Sequence, residues 1–191
     1  MRSVHVVTLF CAVLMGAAAA PSGRIPHPAD ATSPTPLILE KDEGEKRAVR
    51  GWPGHPDPGE TLNLKVDLKN GGSSHLVFFT ADLPPGNSID THRHAHADEI
   101  LYLESGTARV QLGDLVKEVH GGSTVFIPSG TWISVSNIGK DNIGLVCIFS
   151  APGFEEWIRD TSVREGEKKV PISQAEEDAL EKKYSHVVLF K

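Results

Sequence analysis

The sequence is too poor in cysteine for disulfide chemistry. Its 191 residues include two cysteines, Cys11 and Cys147. Cys11 falls in a segment expected to be cut away, so the mature chain is left with one thiol and no intrachain bridge. The fold must therefore rest on its own hydrophobic core, which a chain of this length can supply. Cys147 lies in the apolar run IGLVCIFS and reads as an inert core residue rather than a nucleophile. Positive charge is also scarce, with 19 Lys and Arg against 25 Asp and Glu and a net charge of -6. No basic stripe is present, and nucleic acid is excluded as a partner. No block of like charge is long enough to act as an interaction tail. Also missing are a serine nucleophile elbow, a phosphate-cradling glycine loop and a pair of acids at glycosidase-like positions. Twin arginines, a lipobox cysteine and a C-terminal retention signal are absent as well.

The longest apolar run, Val6 to Ala20, is too short to span a bilayer comfortably. It follows Arg2 and ends in four alanines, the pattern of a secretory signal peptide. Residues 1–20 are therefore expected to be a signal peptide, with cleavage after Ala19, and the protein to be secreted or periplasmic without stable membrane insertion. Residues 21–48 are expected to form a flexible arm, because the stretch to about residue 36 is rich in Pro, Ala, Ser and Thr. Leu37-Ile38-Leu39 is the one candidate strand within it. The following EKDEGEKRAVRGWPGHPDPGE reads as charged, turn-rich chain, with Trp52 covering one end of the core and His55 solvated.

From Leu62 the pattern changes. LNLKVDL alternates apolar and polar residues with the period of a half-buried strand. Further short β-rich runs follow, to Ser150, punctuated by Asn70-Gly71-Gly72, Pro84-Pro85-Gly86, Gly106, Gly113-Asp114, Gly121-Gly122 and Pro128-Ser129-Gly130. Short strands at near-regular spacing between turn signals predict an all-β sandwich or barrel, here over residues 49–152. Residues 153–191 are expected to be helical. Phe154, Trp157 and Ile158 have helical spacing, and Ser173 with Glu176 forms a capping box for a second helix. Ala175, Ala179, Leu180 and Tyr184 form that helix's expected packing stripe, and VVLF either pairs as a last strand or docks.

Chemistry concentrates in one stretch, GNSIDTHRHAHADEILYLESG, from Gly86 to Gly106. His92, His94 and Glu99 are spaced like metal ligands. Two imidazoles and one carboxylate suit one face of a first-row transition ion. In a regular strand the histidines share one face and Glu99 the other, so convergence requires the backbone to turn between Ala95 and Asp98. Leu101 and Leu103 then point inward with Glu99.

Gly86, His92, His94, Glu99 and Gly106 match the first cupin motif at every fixed position, and the surrounding β pattern agrees with it. Gly122, Pro128, Gly130 and Asn137 fall at the positions of the second cupin motif. Its histidine position is Ile133. The segment Leu62 to Ser150, followed by FSAPGFEEWIRD, thus resembles small single-domain cupins, some of them named after quercetin dioxygenase. The resemblance implies a jelly-roll barrel holding Fe, Mn, Ni, Cu or Zn through three His and one Glu.

Three of those four ligands are kept here. Either His92, His94 and Glu99 still hold a divalent transition metal, or the metal has been abandoned and Ile133 extends an apolar pocket. His96 is a possible additional ligand, weighed against an exposed turn residue. Leu101, Leu103, Ile133 and Val135 are expected to line the pocket. Trp132 should face away, while Phe79 and Phe126 line either the pocket or the core. His75, His120 and His186 read as surface residues. The expected function is a metal-dependent, oxygenase-like enzyme acting on a small apolar or aromatic molecule, with isomerisation possible in the same barrel. The alternative is a non-catalytic small-molecule-binding cupin with weak or no metal, and a structural or storage role is the blander option. A homodimer is expected through sheet edges.

Overall fold

The structure is a computed structural model that describes residues 34–191 except Pro56. The expected signal peptide and most of the expected arm lie outside the described residues. Twelve strands form two antiparallel sheets among those residues. The first ten are β1 (Glu45–Val49), β2 (Thr61–Val66), β3 (Val77–Leu83), β4 (Ser88–His94), β5 (Glu99–Ser105), β6 (Thr107–Leu112), β7 (Leu115–His120), β8 (Thr124–Ile127), β9 (Ile133–Asn137) and β10 (Ile143–Phe149). Helix α1 (Phe154–Thr161), β11 (Ser162–Arg164), α2 (Gln174–Tyr184) and β12 (Val188–Phe190) follow. One sheet runs β11-β1-β2-β3-β10-β5-β8 and the other β12-β4-β9-β6-β7. This is the all-β architecture expected from the strand pattern, in the two-sheet jelly-roll form that the cupin resemblance implies. Its core is the inward residues of both sheets, among them Leu64, Leu83, Leu103, Val110, Val135 and Leu145.

Two expectations about the N-terminal side are corrected. Leu37-Ile38-Leu39 is not a strand; it lies exposed, with no strand partner to bury it. The arm does not extend to residue 48, because β1 begins at Glu45. The alternation in EKRAV is hidden because one inward residue is Arg47. Its guanidinium is satisfied at Glu45 Oε1 (2.7 Å), Ser162 Oγ (2.6 Å) and the Arg159 carbonyl (2.8 Å). A buried charge is tolerated when it is paired and hydrogen-bonded in this way.

The stretch 153–191 is less purely helical than expected. Strand β11 extends the larger sheet beside β1, and β12 extends the smaller one beside β4. Ser173 caps α2 as expected, the Glu176 amide donating to its Oγ at 3.3 Å, while the Glu176 carboxylate accepts from the Arg50 guanidinium at 2.7 Å. The expected stripe on α2 does not: Ala175 and Ala179 are exposed, and Tyr184 is the buried residue of the helix. Helix α1 is fastened more firmly. Arg159 bonds Glu45 (2.8 Å), Asp67 (2.6 Å) and Glu156 (2.8 Å), which ties α1 to β1 and to the turn after β2. Burial works to raise the Glu45 carboxyl, but bonds from Arg159 and Arg47 hold it below the ordinary value.

The motif glycines serve turns. Gly106 has φ 86°, and a Cβ there would stand 2.9 Å from the Asn142 carbonyl oxygen. The position therefore excludes a side chain on two counts. Asn137 is also structural. Its amide donates to the Leu83 (2.8 Å) and Asp141 (2.9 Å) carbonyls, and its oxygen accepts from Gly139 N.

Candidate functional site

The chain crosses from the smaller sheet to the larger one between His94 and Glu99. Strand β4 ends at His94, β5 begins at Glu99, and the two strands belong to different sheets. The crossing is pinned by Asp98. Its carboxylate accepts from Ser129 N (2.8 Å), and its amide donates to Ser150 Oγ (2.9 Å). The required turn between Ala95 and Asp98 is thus present, and it sets the Glu99 side chain across the barrel from the two imidazoles. All three are buried.

His94 Nε2 lies 3.3 Å from Glu99 Oε2, and the His92 and His94 rings are 5.0 Å apart between centroids. His92 Nδ1 is 2.8 Å from the Asp90 carbonyl oxygen. A carbonyl only accepts, so Nδ1 carries the proton and Nε2 keeps its lone pair. Burial, with His94 alongside, lowers the His92 pKa to about 4, and the ring is neutral at neutral pH. Among the described residues neither His94 nitrogen has a hydrogen-bond partner in satisfactory geometry, although the residue is 2% exposed. A buried imidazole left this way is costly unless something further binds it.

These polar groups form one end of a cavity of about 420 Å³. Leu101, Ile133 and Val135 line it, as expected; Leu103 does not, and this expectation is corrected. Leu103 pairs in register with Leu145 and is fully buried in the packed part of the barrel. His96 is corrected too. It sits exposed in the turn after β4, outside the cavity, and does not replace the missing histidine. Ile133 stands directly opposite His92 in the β4–β9 register and lines the cavity. Phe79 lines the cavity, while Phe126 is exposed. Trp132 faces outward, with the Arg93 guanidinium 4.8 Å over its ring. His75, His120 and His186 are exposed.

Several lining residues were not anticipated. Phe154 of α1 lies edge-on to His94 at 4.7 Å and nearly parallel to His92 at 6.3 Å. Trp157 stacks on Phe154 at 5.3 Å, and Phe190 of β12 stands 5.8 Å from His92. The C-terminal stretch therefore covers the imidazoles with aromatic rings. The helical spacing of Phe154, Trp157 and Ile158 carried this signal, read only as a helix. Glu60, just before β2, also lines the cavity, and burial pushes its pKa up to about 7. One acid among several in a charged, turn-rich stretch gave no sequence signal. Cys147 lines the cavity beside Glu99. Burial, then the charges of Glu99 and Glu60, push its thiol well up, so it stays protonated.

The donors can be tested against the metal that the motif implies. By donor type they suit it: a free His92 Nε2, an unbonded His94 and a carboxylate. By placement they do not. Among the described residues no three His, Cys, Asp or Glu side chains stand together as a metal-holding group.

Residues 79–149 match the family model described as Cupin domain. An uncharacterised protein of Methanocaldococcus jannaschii, MJ1618, is 31% identical over 85 residues, 44% of this chain and 66% of that protein. The mannose-1-phosphate guanylyltransferase 2 of Escherichia coli O157:H7 is 32% identical over 84 residues, 44% of this chain and 17% of that enzyme. The chain thus spans less than two-thirds of either relative's length. A predicted oxalate decarboxylase of Thermotoga maritima, solved as a crystal structure, superposes with a TM-score of 0.54 at 18% identity. The match covers 61% of this chain and 100% of that one. At that identity the likeness concerns the fold.

Proposed function

The chain belongs to the cupins, and from that premise we propose that it binds a small, largely apolar molecule in the hollow end of its barrel. The cavity carries this reading. It is lined by aliphatic residues from both sheets, roofed by Phe154, Trp157 and Phe190, and has His92, His94 and Glu99 as its polar end. A few convergent polar groups in an apolar pocket are what a small-molecule site requires. The unbonded His94 nitrogens give the ligand a hydrogen-bonding group to meet. Isothermal titration with 2-phenylethanol tests the reading. Saturable binding to the wild type, weakened about tenfold in Ala81→Leu, is expected, because Ala81 lines the cavity and a larger side chain fills it. An absence of binding would overturn the reading.

A second reading, a metal-dependent oxygenase-like enzyme, is favoured by the unsatisfied His94 ring. For this reading His92, His94 and Glu99 would have to draw closer together than the structure places them, and the ion they then held would supply Lewis acidity or an oxygen-binding centre. Replacing Ile133 with His restores the fourth donor of the motif, and the Ile133→His variant should bind metal at least about 10-fold more tightly than the wild type by elemental analysis and competition. Equal affinity would count against the metal.

The protein is proposed to be secreted or periplasmic, from residues 1–20, and to form a homodimer. The outer face of the larger sheet supports the dimer. Phe78, Ile148, Ile100 and Phe126 lie side by side in register across β3, β10, β5 and β8, three of them exposed. A contiguous exposed apolar row of this kind marks an association surface. Light scattering on Phe126→Asp should report a monomer.

A further inference from the structure

Glu60 has no part in the cupin motifs, yet it lines the cavity, and its carboxyl has no ion pair among the described residues. The charges around it are one-sided. Glu99 lines the same cavity. Among the described residues, the one lining residue with a permanent positive charge is Lys191. Its ammonium stands 5.7 Å from the Trp132 ring centre, and Trp132 does not line the cavity. The hollow end thus combines a carboxyl that has no ion pair among the described residues, Glu60, with aromatic rings. An anion entering it would meet like charge in a medium that screens poorly. A cation would gain from the carboxylates and from the ring faces together.

We infer that the cavity is selective for a small organic amine, with Glu60 pairing its ammonium and the aromatic roof covering its apolar body. This rests on the reading of the cavity as a ligand site and narrows it to one chemical class. Carboxylates such as oxalate are the class it rejects. The raised pKa of Glu60 agrees, since an ammonium would supply the partner that the protein withholds.

The test is isothermal titration of the full chain at about pH 8, where an aliphatic amine is protonated. Three probes share one skeleton: 2-phenylethylamine, 2-phenylethanol and phenylacetate. The amine should bind at least about tenfold more tightly than the alcohol, and phenylacetate more weakly than either. Glu60→Gln should remove the amine's preference over the alcohol measured on the same variant, with an unchanged far-UV circular dichroism spectrum showing that the variant is folded. If the alcohol binds and the amine does not exceed it, or if Glu60→Gln keeps the preference, the amine assignment falls and the cavity reading stands. If none of the three binds, both fall.

Discussion

The two ends of this barrel are built from the same strands and differ in what the strands enclose. At one end Leu83, Leu103 and Ile143 are fully buried, and Asn137 bonds the backbone around them at three points. At the other end, a few residues along the same strands, Phe79, Leu101 and Cys147 lie in register and border a cavity of about 420 Å³. There the polar atoms are poorly satisfied: among the described residues neither His94 nitrogen has a hydrogen bond of satisfactory geometry and Glu60 has no ion pair. The filled end meets the usual rule that buried polar groups are bonded and apolar ones packed. The hollow end breaks both halves of it. Such departures are expected where a protein keeps room for something else.

Substitutions sharpen this contrast, the largest expected effect first. Leu103→Ala opens a void in the packed end and should cost about 3–5 kcal/mol in urea unfolding. Leu101→Ala, two residues away, enlarges a space that already exists. It should cost about 1–2 kcal/mol, mainly the transfer term. Equal losses would mean that the two ends are equally packed. Asn137→Ala leaves two carbonyls and an amide unpaired and should cost about 1–3 kcal/mol by the same measurement.

Glu60→Gln has the opposite sign. The folded-state pKa of Glu60, about 7, lies above its ordinary value of 4.5, so the native protein resists ionising it. That cost is absent below about pH 4.5 and complete above about pH 7. The variant should therefore be more stable than the wild type by on the order of 1–2 kcal/mol at pH 8, with the gap closing as the pH falls through that window. A gap that does not vary with pH would remove Glu60 from the list of uncompensated groups.

Much of the filled end was legible in the sequence, because period-two alternation and turn glycines report packing directly. The crossing between β4 and β5 was legible too, since His92, His94 and Glu99 meet only if the chain turns between them. Other features escaped for physical reasons. Strand β1 presents Arg47 inward, and a hydrophobic pattern is blind to a strand whose buried side chain is charged. Leu103 has the same alternation as Leu101, but alternation gives the face and not the depth along the barrel. Phe154, Trp157 and Phe190 come from 153–191, and no local rule states that a terminal helix and strand will return over the imidazoles. Glu60 lies in a stretch whose composition signals only turns.

The account depends on the hollow end being a site that a small molecule enters beside His94. NMR of the histidine ring nuclei, recorded while 2-phenylethanol is added, tests this most directly. Saturable shifts of the His92 and His94 signals, with those of exposed His120 and His186 unmoved, are the predicted result. Shifts confined to the exposed rings, or none at all, would contradict it.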